Sequence, residues 1–144
     1  MVNKAKRQVA RQLIERFAHG EITNRDFEDA FPLDKSDPAL AEIYKRLWFF
    51  WDDYSTHRLT ERYALTAEGR AVFGRCIAFL AQDLEYEWPP YRGASLTLIA
   101  LRLLRLRKAS ERRERAELEK LKSFGNLEVW PFTREEDHMR PSST

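Results

Sequence analysis

Histidine, cysteine and glycine residues, which build most zinc sites and phosphate-binding loops, are few and scattered in this sequence. The histidines are His19, His57 and His138, and the single cysteine is Cys76. A zinc site needs several such ligands at short spacings, for example in an HExxH motif, and no such spacing occurs. The five glycines form neither a GxGxxG nor a GxxxxGK pattern. We therefore expect no metal, no cofactor and no catalytic residue of these types.

Carboxylates are the remaining candidates for catalysis. If Asp52 met Glu85 or Glu87 in space, the two groups could serve as acid and base. No motif in the sequence places them together, so an enzyme is the least favoured of the functional hypotheses.

An acidic and aromatic segment, residues 83–88, is the first candidate for binding. Side chains alternate along an extended backbone, which places three carboxylates on one side and Leu84 and the two aromatic rings on the other. Carboxylates attract a basic partner, and aromatic side chains supply contact area at interfaces. The predicted partner-binding residues are Asp83, Glu85, Tyr86, Glu87 and Trp88.

Two residues of this segment have alternative interpretations. If the helix before it continues, Asp83 falls on the apolar face and needs an arginine, whereas fraying near Gln82 turns Asp83 to solvent. Trp88 is equally compatible with a place in the hydrophobic core.

A basic helix face is the second candidate for binding. Its residues share one side at 100° per residue and could follow a phosphate backbone: Arg102, Arg105, Lys108, Arg112 and Arg113. Interleaved glutamates would repel nucleic acid, and neither an RNP run nor a helix-turn-helix signature is present. A solvated face is therefore favoured over nucleic-acid binding.

Composition indicates one folded domain over residues 1–144. Hydrophobic residues make up 43% and charged residues 33%, with a net charge of +2. Residues 17–90 carry fourteen acidic and eight basic side chains, whereas residues 1–16 and 91–125 are basic, which favours pairing within the chain. No apolar run spans a membrane and no signal-peptide core is present, so we expect a cytoplasmic protein.

The spacing of apolar residues predicts an all-α fold, a bundle of four to five helices. Residues 1–32 form a helical hairpin, with a first helix over Asn3–His19, a left-handed Gly20, and Thr23 or Asn24 as the second N-cap.

Residues 37–88 hold two core helices. Asp37 and Pro38 begin the first, whose apolar face runs to Tyr54, and Thr66 caps the second, which must end before Pro89. We predict that Cys76 is buried in the second helix.

The C-terminal part contains a long charged helix over residues 95–125, from Ser95 to Gly125, which could also mediate self-association. Residues 126–144 form a tail anchored by Val129, Trp130 and Phe132.

Four stretches carry a family resemblance: ITNRDFE at 22–28, LW with DD at 47–53, RCIAFLAQDLEYEWP at 75–89 and VWPF at 129–132. The chain resembles a family of small uncharacterised bacterial proteins with no assigned activity. The resemblance implies a bacterial source and a shared fold, and it transfers no functional residue. The leading hypothesis is a non-catalytic protein-interaction module, similar to an immunity, antitoxin or adaptor protein.

Overall fold

The computed structural model describes residues 1–52, 54–90 and 107–140, and it contains no strand within them. The α-helices of this part of the chain are α1 (Lys4–Ala18), α2 (Asn24–Ala30), α3 (Pro38–Leu47), α4 (Ala67–Leu80), α5 (Arg107–Phe124) and α6 (Glu135–His138). Short 3-10 helices cover Trp48–Phe50, Glu61–Tyr63 and Leu127–Val129. The predicted all-α class is confirmed for these residues. None of the described helices is long and apolar enough to cross a membrane.

The predicted N-terminal hairpin is present. Asn3 caps α1, Gly20 adopts a φ of 71° after it, and Thr23 forms a capping box with Asp26 at the start of α2. Asn24 is not the cap. It is fully buried, donates to the Ser55 carbonyl at 3.0 Å and accepts from the His57 N–H at 2.9 Å, so it holds the loop that follows α3.

The third helix is shorter than the apolar pattern predicts. It ends at Leu47, continues as the 3-10 turn Trp48–Phe50, and reaches extended backbone at Trp51. Trp48 is 40% exposed and Tyr54 is 99% exposed, so the prediction of one apolar helix running to Tyr54 is wrong. The turn directs Trp51 into the core, where its ring lies 5.1 Å from that of Phe17.

Helix α4 lies at the centre of the described fold and packs against α1 and α3. The Thr66 side chain accepts from the Gly69 N–H at 3.1 Å, as predicted for an N-cap. Cys76 is fully buried, which confirms the prediction, and burial raises the pKa of its thiol. The helix ends at Leu80, well before Pro89.

The C-terminal tail completes the core. Val129, Trp130 and Phe132 are all buried, so the predicted anchor is present. Helix α5 ends at Phe124, and a Cβ on the following Gly125 would lie 3.1 Å from the Trp88 ring, so a larger residue there would need the ring to shift by a few tenths of an ångström. The start of the predicted helix, residues 95–106, lies outside the described residues.

Candidate functional site

The segment that follows α4 is extended and presents three carboxylates on one side. Asp83, Glu85 and Glu87, hereafter the acidic edge, are exposed, while Leu84 and Tyr86 are half-buried between them. This is the alternation expected of extended backbone. The helix ends before Gln82, so Asp83 turns to solvent and is not the buried carboxylate of the alternative interpretation.

Each carboxylate of the acidic edge has one contact at the surface. Lys4 Nζ lies 2.7 Å from Asp83, the amino group of Met1 lies 3.4 Å from Glu85, and Thr133 Oγ1 donates to Glu87 at 3.1 Å. Exposed pairs of this kind contribute little to stability because water and salt screen them. The carboxylates therefore remain able to exchange these contacts for those of a partner.

The inward side chains of the segment fix its position through two indole hydrogen bonds. Trp88 is 4% exposed and its Nε1–H donates to the Phe132 carbonyl at 3.1 Å. Trp130 Nε1–H donates to the Tyr86 hydroxyl at 3.0 Å. Trp88 thus occupies the core, its alternative location, and its side chain cannot contact a partner on the folded surface. Burial raises the pKa of the Tyr86 phenol, which keeps that oxygen protonated.

Arg7 on α1 holds the backbone at the start of the segment. Its Nη1 donates to the Gln82 carbonyl at 3.0 Å and to the Leu84 carbonyl at 2.8 Å. Its Nε and Nη2 bind both oxygens of Asp37 at 2.7 and 2.9 Å. Both side chains are buried, so one ion pair joins α1, the turn before α3 and the segment after α4.

Asp37 occupies the predicted N-cap position of α3, but its side chain has a role that the sequence does not predict. It precedes α3, but its carboxylate makes no capping hydrogen bond, because both oxygens face Arg7. Burial alone would raise the pKa of this carboxyl, but the hydrogen bonds from Arg7 and from the Asn3 N–H outweigh it, and the net pKa is lowered.

The sequence holds a signal for one member of this pair but not for the other. Arg7 precedes Ala10 by three residues and Ile14 by seven, so it lies on the apolar face of α1. A charged residue on such a face needs a buried partner. The partner is Asp37, thirty residues away, and local spacing cannot identify it.

A small cavity of about 50 Å³ opens beside the acidic edge. Phe79 and Phe132 contribute apolar walls, and Glu85, Glu87 and Asp137 contribute carboxylates. A small cavity with acidic groups around it suits the end of a lysine side chain, its ammonium group above all.

The other candidate residues do not gather into a site. Asp52 accepts from the Tyr54 N–H at 2.7 Å in the loop held by Asn24, while Glu85 and Glu87 contact the N-terminus and the tail. The structure therefore does not join the proposed carboxylate pair. The described residues contain no group of three or more His, Cys, Asp or Glu side chains that could hold a metal ion.

The predicted nucleic-acid face is described only in part. Arg102 and Arg105 lie outside the described residues. Lys108 and Arg113 lie on α5, and Arg112 on the same helix is exposed. Nucleic-acid binding by this face stays a prediction from the sequence.

Comparisons of the chain with protein-family models, curated proteins and solved structures find no match.

Proposed function

We propose that the protein is a non-catalytic interaction module that binds a basic protein partner through the acidic edge. The observation that supports this most directly is the cavity beside Glu85 and Glu87, which offers an apolar wall and carboxylates to a single basic side chain. The sequence resemblance implies a bacterial origin. A bacterial immunity, antitoxin or adaptor protein would need such a surface and would need no catalytic group.

The way the edge is held supports the proposal. The two indole hydrogen bonds and the Arg7 contacts fix the backbone of residues 82–88 from the inside. The backbone that carries the outward carboxylates is thus held in one arrangement, and little backbone conformational entropy is lost when a partner binds.

The proposal assigns separate roles to the charged and aromatic residues. Long-range attraction between charges mainly raises the association rate, so Glu85 and Glu87 should determine how fast the partner binds. Tyr86 is half-buried and hydrogen-bonded to Trp130, so its ring supports the edge from below and only its exposed part is available to a partner.

The experiment uses the full chain as immobilised bait in a bacterial lysate at two salt concentrations. Glu85→Gln combined with Glu87→Gln should reduce capture of a stoichiometric basic protein, lower the association rate several-fold and flatten its salt dependence. Melting temperatures measured alongside show whether the fold is intact.

Glu21→Gln combined with Glu61→Gln is the matched control. It removes the same amount of charge from exposed positions. Glu21 lies beyond the C-terminal end of α1, whereas the acidic edge is contacted by Lys4 at the N-terminal end of that helix. Equal loss of capture in both double variants would contradict a specific edge. Capture of nuclease-sensitive nucleic acid in place of a protein would favour the basic face of residues 102–113.

A further inference from the structure

A second surface cavity, of about 310 Å³, lies between the first turns of α1 and the end of α4. On α1 it is lined by Lys4, Arg7, Gln8 and Arg11. At the end of α4 and just after it, the lining residues are Leu80, Ala81 and Asp83. Pockets for small molecules begin at about this size. The cavity is thus suited to a compact ligand and is too small for a folded partner.

The polar side chains of the cavity come mainly from one face of α1. Lys4, Gln8 and Arg11 follow one another at spacings of four and three residues, which places them on the same side of the helix. Arg7 adjoins them, but its guanidinium is already held by Asp37 and two backbone carbonyls.

Arg11 differs from the other two cations. Lys4 has Asp83 as its partner at 2.7 Å, whereas Arg11 makes no hydrogen bond or ion pair with any residue that the structure describes. Its Nε atom is buried all the same. The residue as a whole is only half-buried and lines the cavity, so its terminal Nη donors are the ones available to a ligand oxygen there.

We propose that this cavity binds a small molecule through one compact oxyanion, a carboxylate or a phosphate group, held by Arg11. The planar guanidinium matches the oxygen pairs of both groups, and Gln8 and Lys4 are placed to donate from the same helix face. Asp83 on the rim disfavours a second anionic group. The ligand therefore carries a single anionic group, with a hydroxyl or amino group facing Asp83.

The probes are inorganic phosphate and acetate, each titrated at constant ionic strength against sodium chloride. We expect a saturable rise in melting temperature with at least one ion, because ligands that bind only the folded state stabilise it. The Arg11 Nε–H resonance in a ¹⁵N-correlated NMR spectrum should move with the same saturation curve. The ion with the tighter binding identifies the anionic group.

Arg11→Gln should weaken that binding by roughly tenfold or more, since charge-assisted hydrogen bonds are lost. Arg11→Lys keeps the positive charge but lacks the planar donors, so its affinity for the ion should lie between those of Arg11→Gln and wild type. Arg16→Gln removes one exposed charge near the far end of α1 and should bind like wild type. No saturable response to either ion, or an equal response in Arg11→Gln, would overturn the site. Neither result depends on the partner of the acidic edge.

Discussion

At the residue scale, the buried pair of Arg7 and Asp37 is the most consequential feature of the described structure. Two charges removed from water are tolerated because both oxygens of the carboxylate meet a donor and the guanidinium Nη1 also reaches two backbone carbonyls. Such a pair contributes little net stability compared with apolar residues, but removing one member leaves a bare charge inside the protein.

Asp37→Asn should therefore lower the free energy of unfolding by about 3 to 5 kcal/mol near neutral pH. The pH dependence has a defined sign. The folded-state pKa of Asp37 is lowered, so its contribution is complete above the unfolded pKa of about 4 and is lost as the pH falls through the folded pKa. Urea unfolding at a series of pH values measures both effects.

Asp29→Asn is the control for this prediction, because Asp29 is exposed on α2 and the same charge is removed. The difference in the free energy of unfolding between wild type and Asp37→Asn should become smaller as the pH is lowered below about 4. A gap that stays constant with pH would contradict the assigned coupling.

At the element scale, the tail from Leu127 to Phe132 acts as a structural part of the core. Trp130 is 4% exposed, donates to Tyr86, and has the Arg46 guanidinium 5.0 Å from its ring centre. Its carbonyl accepts from Arg75 Nε at 2.8 Å. The tail thus contacts residues from three different parts of the chain.

Trp130→Ala should destabilise the protein by roughly 3 to 5 kcal/mol, the usual effect of deleting a large buried aromatic side chain. Thermal or urea unfolding checks this value. Met139→Ala, at a position that is 77% exposed in the same tail, should change stability by less than about 0.5 kcal/mol. An unchanged melting temperature in Trp130→Ala would show that the tail is not part of the stable core.

Local signals predicted those elements whose ends are set by nearby residues. Thr66 and Thr23 cap helices because their hydroxyls reach backbone donors three residues away, and the alternation of residues 83–88 follows from extended geometry. The end of α3 has no such local signal, because the apolar run through Trp51 also fits a helix. Long-range burial of Trp51 against Phe17 determines the turn instead.

The candidate site shows the same division. The three outward carboxylates were found from the sequence, whereas the burial of Trp88 and the role of Asp37 depend on partners forty-four and thirty residues away. Contacts between residues so far apart in the sequence leave no pattern in the neighbouring residues. The 310 Å³ cavity likewise arises only when α1 lies against the end of α4.

At the scale of the whole described molecule, α1 and the tail residues Trp130 and Phe132 both contact the middle of the chain. Arg7 contacts the backbone of residues 82 and 84, and the tail contacts Trp88 and Tyr86. A single hydrophobic cluster includes residues from Ala10 to Phe132. Separate domains within this part of the chain would not share one core.

Unfolding should therefore be a single cooperative transition. Far-ultraviolet circular dichroism, which follows the helices, and near-ultraviolet circular dichroism, which follows aromatic packing, should give coincident urea curves. Two separated midpoints would contradict the single domain over residues 1–144.

The distribution of tryptophans supplies a natural optical reporter. Trp51, Trp88 and Trp130 are buried, and Trp48 is 40% exposed. After Trp48→Phe, all remaining indole emission would come from buried rings, two of which donate hydrogen bonds across the joint between the tail and the segment after α4. If the tail detached from that segment, the indole emission would shift to longer wavelength and a water-soluble quencher would reach the rings. The detachment could therefore be followed without any attached dye.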